Sequence, residues 1–402
     1  MYSRALEQLV FDPEITQKMI LLAGPRQVGK TTLAQKWLGE KAVNLYYNWD
    51  DEKVRREFRH DPHFFESQAR QSGPHAKIVF DEIHKIPRWK TILKGYYDTF
   101  KKDFRFFVTG SARLDLFQRS GDSMLGRYHL LHLAPLIPHE LEKKTIRAYT
   151  SPTDLSQLEK PPLSQNSIEV LLEFSGFPDM VQKATHRSLN LWHREYTQRV
   201  IREDLRDLTR IADLTRGEAF FDLLPTKIGS PLSFNSLRED MLCSYDAVKT
   251  IIQAFEKLSV IFLVRPFSKK IKNSLSKEPK LYFYDWTHVP DTGARFENFL
   301  AMQLKAYCDF VTDGGWAQMD LFYLRDKQKN EVDFLLTHNF KPVLLVEAKA
   351  GSNTDNRTLE HFSKQLGPIP SICVTEKEGV YKKLGEKSWL VSANRFFNLL
   401  WY

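Results

Sequence analysis

A chain of 402 residues is too long for one ordinary hydrophobic core, and its 42% hydrophobic and 27% charged residues describe a globular, soluble protein of two to four domains. The formal net charge of +8 favours an anionic partner. Cys243, Cys308 and Cys373 are odd in number and far apart, which excludes a disulfide framework and gives no zinc-ligand spacing, so no structural zinc is expected. The opening segment lacks the plan of a signal peptide, and no run approaches the roughly 20 apolar residues that cross a bilayer. A cytoplasmic protein with no membrane partner is expected.

The first element is an apolar strand, Met19 to Ala23, followed by "GPRQVGKTT" and a helix pattern ending at Gly39. The loop fits GxxxxGK[ST]. Gly24, Pro25, Arg26, Gln27, Val28, Gly29, Lys30, Thr31 and Thr32 are expected to cradle ATP. Gly24 and Gly29 let backbone N–H groups wrap a phosphate, Lys30 reaches the terminal phosphates, and Thr31 ligates Mg²⁺ at a helix start.

"KIVFDEIHKI" reads as a buried strand ending in Asp81, a carboxylate for Mg²⁺, and Glu82, which activates water. A glutamate beside the metal aspartate favours hydrolysis over transfer to a small molecule. "FRFFVTGSAR" is another strand, ending at Thr109, Gly110 and Ser111, with Ser111 as the sensor of the γ-phosphate. With "VNLYYNW" and "YHLLHLAPL", five short strands alternate with helices and predict a parallel sheet covered on both faces.

"YTSPTDLSQLEKPPLSQNS" lacks apolar periodicity and marks a linker. Beyond it, Arg199, Arg202, Arg206 and Arg210 line a helical face on which Glu195, Glu203 and Asp207 also lie. A solvated face is the simpler reading of that stripe. From "LSFNSLREDML" to "KLYFYD" the order is helix, turn, helix, strand, basic loop, strand, the plan of a winged helix-turn-helix. Ser244 caps the second helix, and Val248, Ile251, Ile252, Phe255 and Leu258 form its buried stripe. Asp246 and Glu256 oppose base reading. The wing, with Arg265, Lys269, Lys270, Lys272, Lys277 and Lys280, either follows a DNA or RNA backbone or is a solvated loop in a packing module.

"TGARFENFLAMQLKAY" predicts a helix burying Phe296, Leu300 and Leu304, with Glu297 beside that edge. "EVDFLLTHNFKPVLLVEAKA" predicts a hairpin turning near Phe340. Its register sets Asp333 opposite Glu347 and Glu331 opposite Lys349, all on one face. That face is either wet or a site for a cation and a phosphate.

"GPRQVGKTT", "DEIHKIPRW", "TGSARL", "LGRYHLLHLAPL" and "SGFPD" together resemble the prokaryotic AAA-type ATPases that carry a carboxy-terminal domain of unknown function. The resemblance implies that Arg127 neutralises transition-state phosphate charge, with Arg113 as rival, from a neighbouring subunit if the protein is a homo-oligomer. A surface ion pair is the alternative for either arginine.

The carboxy-terminal order of a helical acid, a strand acid and E-x-K resembles the restriction-endonuclease-like PD-(D/E)xK core. By that resemblance Glu297, Asp333, Glu347 and Lys349 are the catalytic set, with Asp333 and Glu347 holding Mg²⁺. Val332 stands where that motif has proline. The fold class expected is α/β: a P-loop NTPase parallel-sheet core (1–145), a linker and helical lid (146–217), a winged-helix module (218–288) and a restriction-endonuclease-like domain (289–402). The function expected is an ATPase coupled to nucleic-acid binding or Mg²⁺-dependent cleavage. The alternative is an ATP-controlled switch with a non-catalytic carboxy-terminal interaction domain.

Overall fold

The computed structural model describes residues 2–39, 45–110, 124–144, 146, 149, 151–206, 214–268, 277–349, 351 and 356–401. The chain is α/β and divides into two compact units, one of residues 4–134 and one formed mainly by residues 135–402.

In the first unit five parallel strands, β1 (Met19–Ala23), β2 (Tyr46–Asn48), β3 (Ala76–Asp81), β4 (Phe104–Thr109) and β5 (Tyr128–His132), lie in the order β2-β3-β4-β1-β5. All five residues of β1 are buried, because a central parallel strand is covered on both faces and its sequence is accordingly an unbroken apolar run. Helices α1 (Lys30–Leu38) and α2 (Trp89–Phe100) belong to this unit. An aromatic cluster closes one side of the sheet: Phe65 meets Phe80, Tyr96 and Phe106 with centroids at 5.4, 4.9 and 6.2 Å. Each such ring contributes roughly 1.5–3 kcal/mol by burial.

The second unit begins with helices α3 (Gln165–Phe174) and α4 (His186–Arg199). Helix α4 continues as a π-helical turn, Val200–Leu205, and helix α5 (Leu214–Leu223) follows. The segment expected to be a linker is anchored, since Arg395 donates to the Leu158 and Lys160 carbonyls and Asn398 to that of Pro161. In the arginine stripe, Arg202 pairs with Glu218. Arg210 and Asp207 lie outside the described residues.

Helices α6 (Phe234–Asp240) and α7 (Tyr245–Lys257) precede the antiparallel pair β6 (Ile261–Pro266) and β7 (Lys280–Phe283). The Ser244 hydroxyl accepts from the Ala247 N–H, and Val248, Ile251, Ile252, Phe255 and Leu258 are buried. The strand pair does not stand apart. β6 runs parallel to β8 (Met319–Arg325) through Arg265↔Phe322 and Pro266↔Tyr323, which makes the wing the edge of an eight-stranded mixed sheet.

Helix α8 (Thr292–Asp313) packs on that sheet, burying Phe296, Leu300 and Leu304 as its spacing predicts. Strands β9 (Glu331–His338) and β10 (Lys341–Lys349) turn at Asn339 and Phe340, both with positive φ. Their ladder runs Leu344↔Leu336, Leu345↔Leu335, Val346↔Phe334, the register that sets Asp333 opposite Glu347. Helix α9 (Arg357–Leu366) follows β10. Strands β11 (Ser371–Thr375), β12 (Tyr381–Gly385) and β13 (Ser388–Ser392) complete the order β12-β13-β11-β10-β9-β8-β6-β7. Among the described residues no helix is long and apolar enough to cross a membrane.

Candidate functional site

The first candidate site lies at the carboxyl ends of β1, β3 and β4. After β1 the chain turns through Gly24, with φ of 146°, where a Cβ would stand 2.4 Å from the Leu133 carbonyl oxygen. Only glycine fits there. Gln27 also adopts positive φ, Val28 is buried, and Gly29 caps α1 at φ of 105°. Lys30, buried at the first position of α1, donates to the carbonyls of Gly24 (2.9 Å) and Pro25 (2.6 Å). Arg26 is half-buried and Thr32 exposed on the same turn.

Asp81, 3% exposed, is the hub. Its Oδ2 accepts from the Thr31 hydroxyl at 2.9 Å and from the Tyr46 hydroxyl, and its Oδ1 accepts from Thr109. Because β4 lies between β1 and β3, Thr109 reaches Asp81 from the neighbouring strand end. Tyr46 escaped the sequence reading. Its only signal was its place at the start of a short strand beside β3. Burial, and then Asp81, raise the Tyr46 pKa.

Glu82 sits at positive φ and donates its N–H to the Thr109 carbonyl. Burial raises its pKa, with Asp81 adding to that and Lys30 opposing, so its carboxylate is a stronger base than a free one. Thr31 and Asp81 form a set of hard oxygen donors beside the glycine loop, a set that fits Mg²⁺. Arg127 is held by Asp98, with Nε and Nη2 at 2.7 and 3.1 Å from its carboxylate oxygens. That is the surface ion pair, and a role at phosphate requires its release. Ser111 and Arg113 lie outside the described residues.

The second candidate site is on the eight-stranded sheet. Glu297 from α8 and Glu331 and Asp333 from β9 converge there on an ammonium group. Lys280 Nζ, at the start of β7, lies 3.2 Å from Glu297, 2.8 Å from Glu331 and 3.0 Å from Asp333. Three N–H donors thus meet three carboxylates. The side chain of Lys280 is fully buried, which corrects its place in the exposed basic wing. Burial alone would lower the Lys280 pKa, and Asp333, Glu297 and Glu331 overcome it and raise it.

Further donors reach the same carboxylates. Tyr282 donates to Glu297 at 2.7 Å, Arg325 pairs with Glu331 at 2.9 Å, and the Ala348 N–H donates to Asp333 at 3.0 Å. Burial, then Asp333, push Glu297 up to about 7 against the pull of Lys280. Glu347 and Lys349 pair with each other. A divalent ion at Asp333 would share that carboxylate with a buried ammonium 3.0 Å away, whose positive charge opposes it.

Between α7 and the wing strands runs an open groove of ≈ 420 Å³ lined by Lys249, Arg265 and Lys277 but also by Glu256 and Glu278. Lys269, Lys270 and Lys272 lie outside the described residues.

The parallel sheet, glycine loop and carboxylate hub of the first unit define an AAA-type P-loop ATPase domain, and residues 16–142 match the family described as AAA domain. Residues 165–287 and 292–396 match two families each described as a domain of unknown function.

Two curated relatives, the uncharacterized proteins Mb2031c of Mycobacterium bovis and Rv2008c of Mycobacterium tuberculosis, are each 24% identical over 340 residues. The match covers 81% of this chain and 68% of each relative. Among solved structures, the STAND protein with a tetratricopeptide repeat sensor from Pyrococcus horikoshii aligns at 15% identity and TM-score 0.29 over 78% of this chain. The alignment spans 48% of that protein, about half its length. Aeropyrum pernix ORC1 in complex with DNA aligns at 14% identity and TM-score 0.31, over 76% of this chain and 94% of that one. AMPPCP-bound DnaA from Aquifex aeolicus aligns at 15% identity and TM-score 0.30, over 63% and 85%. Scores this low carry no conclusion about this chain, whose fold class rests on its own strand order.

Proposed function

We propose that the protein hydrolyses ATP at the glycine loop and that its carboxy-terminal sheet is a non-catalytic interaction domain controlled by that ATPase. The observation that supports the ATPase half is the convergence of Lys30, Thr31, Asp81 and Glu82 on one edge of the parallel sheet. Loop N–H groups and Lys30 hold the triphosphate, Thr31 and Asp81 hold Mg²⁺, and Glu82 orients the attacking water and takes its proton. Mg²⁺ bound there neutralises charge on the phosphate oxygens.

Lys30→Ala is expected to abolish ATP binding. Glu82→Gln is expected to keep binding and to lower kcat by about 10²–10⁴. ATP affinity unchanged in Lys30→Ala, measured by calorimetry, refutes this reading.

A second reading, Mg²⁺-dependent cleavage of DNA or RNA, is favoured by Asp333, Glu347 and Lys349 on neighbouring strands and Glu297 on the helix that packs against that sheet. The Lys280 contacts weigh against it. Incubation with Mg²⁺ and single- or double-stranded DNA, beside Asp333→Ala and Lys349→Ala, separates the two. Cleavage by the wild type that both substitutions remove establishes the nuclease reading and ends the non-catalytic one.

A further inference from the structure

A third cluster, used by neither site, joins α4 to the turn after β7. Asp285 caps the 3₁₀ turn Trp286–His288, its Oδ1 accepting from the Thr287 N–H at 3.1 Å and the Thr287 hydroxyl at 2.6 Å. That fixes the carboxylate and aims Oδ2 at two imidazoles, His193 Nε2 at 3.5 Å and His288 Nε2 at 3.6 Å. The two rings stack with centroids 4.1 Å apart and 26° between planes, and both Nε2 atoms face the same carboxylate oxygen.

All three ligand atoms lie within 4.8 Å of one another, and among the described residues this is the one His, Cys, Asp or Glu trio so placed. Asp285 Oδ2 and His288 Nε2 are buried without a hydrogen-bond partner, and the Asp285 side chain is only 3% exposed. His193 Nε2 has the Thr287 hydroxyl at 2.9 Å.

A buried carboxylate facing two stacked imidazoles is poorly served by protons. Two neutral rings leave its charge uncompensated, and two protonated rings repel. A cation between the three atoms relieves both conditions. Ligands about 2.0–2.1 Å from a tetrahedral Zn²⁺ stand about 3.3 Å from one another. Oδ2 is already within a few tenths of an ångström of that spacing from both nitrogens.

We propose that His193 Nε2, Asp285 Oδ2 and His288 Nε2 form a binding site for a first-row divalent transition ion, Zn²⁺ foremost, with water or the Thr287 hydroxyl as fourth ligand. Two imidazole nitrogens and one carboxylate select such an ion over Mg²⁺ or Ca²⁺, which take oxygen. On binding, each imidazole gives its Nε2 lone pair and keeps its ring proton on Nδ1, and any Nε2 proton passes to solvent. The ion enters past His193, whose side chain is 22% exposed. Once bound it ties the helical segment to the β7–α8 junction.

The test uses the full chain, stripped with chelator and dialysed against Zn²⁺ or Co²⁺ without nucleotide. Metal retained after gel filtration is counted, and the visible spectrum of Co²⁺ reports its geometry. One equivalent per wild-type chain is expected, with a tetrahedral Co²⁺ spectrum and a melting temperature raised by Zn²⁺. Affinity is expected to fall at least about tenfold in His193→Ala and His288→Gln. Lys30→Ala should keep the ion. A wild type that retains no ion overturns the proposal whatever the variants do. Full retention with an unchanged Co²⁺ spectrum in both histidine variants overturns it as well, because the ion then sits elsewhere.

Discussion

Lys280 holds three carboxylates apart in the second unit. Replacing it by methionine leaves Glu297, Glu331 and Asp333 facing one another in a buried setting, and breaking a buried ion pair from one side costs about 3–5 kcal/mol. Lys280→Met is therefore expected to lower the urea midpoint far more than Lys277→Met on the exposed wing. Glu297 gives the same cluster a pH signature. Its folded pKa, pushed up to about 7 from 4.5, means that the folded state binds the extra proton. The stabilisation is present below about pH 4.5 and is lost as pH rises through about 7. Unfolding midpoints measured across that window should fall with pH in the wild type and stay flatter in Glu297→Gln.

At the scale of elements, β7 is an edge strand whose outward backbone needs partners. Asn298 supplies them: its Oδ1 accepts from the Phe283 N–H at 2.8 Å and its Nδ2 donates to the Phe283 carbonyl at 2.7 Å. Asn298→Leu orphans both groups at roughly 1–3 kcal/mol each, and thermal unfolding should show the loss. Gly217 of α5 is a second such fit, since a Cβ there would meet Leu205 Cδ2 of the π-helical turn at 2.6 Å.

These elements show what the sequence could reveal. The glycine loop, the β9–β10 register and the α7 stripe were legible because a local pattern decides each: a spacing, an alternation, a period near 3.6. Lys280 was not, because a lysine beginning an apolar strand beside a basic loop reads as wing. Its signal lay elsewhere, in the convergence of Glu297, Glu331 and Asp333, which the sequence reading assigned to Mg²⁺ and to Lys349 instead. The His193, Asp285 and His288 trio is non-local in the same way. Cysteine spacing does not bear on it, and His193 lies far from Asp285 and His288 in the sequence.

At the scale of the whole molecule, ATP should act first on residues 4–134, adding about 2.7 kcal/mol to that unit at a ligand concentration of 100 Kd. If the ATPase controls the interaction domain, hydrogen exchange should also change in 245–268 when ATP and Mg²⁺ are added, and should not change in Lys30→Ala. Exchange altered only within 4–134 removes the control and leaves an ATPase beside an independent binding module.

The wing strand has a further consequence through Lys280. Its ammonium is the group that holds the Glu297 pKa down, so a ligand that drags the strand outward weakens that hold. The carboxyl then takes up a proton near neutrality. Any engagement of the wing that moves Lys280 would be linked to acidity of the medium, and the linkage would be read as buffer-dependent heat of association.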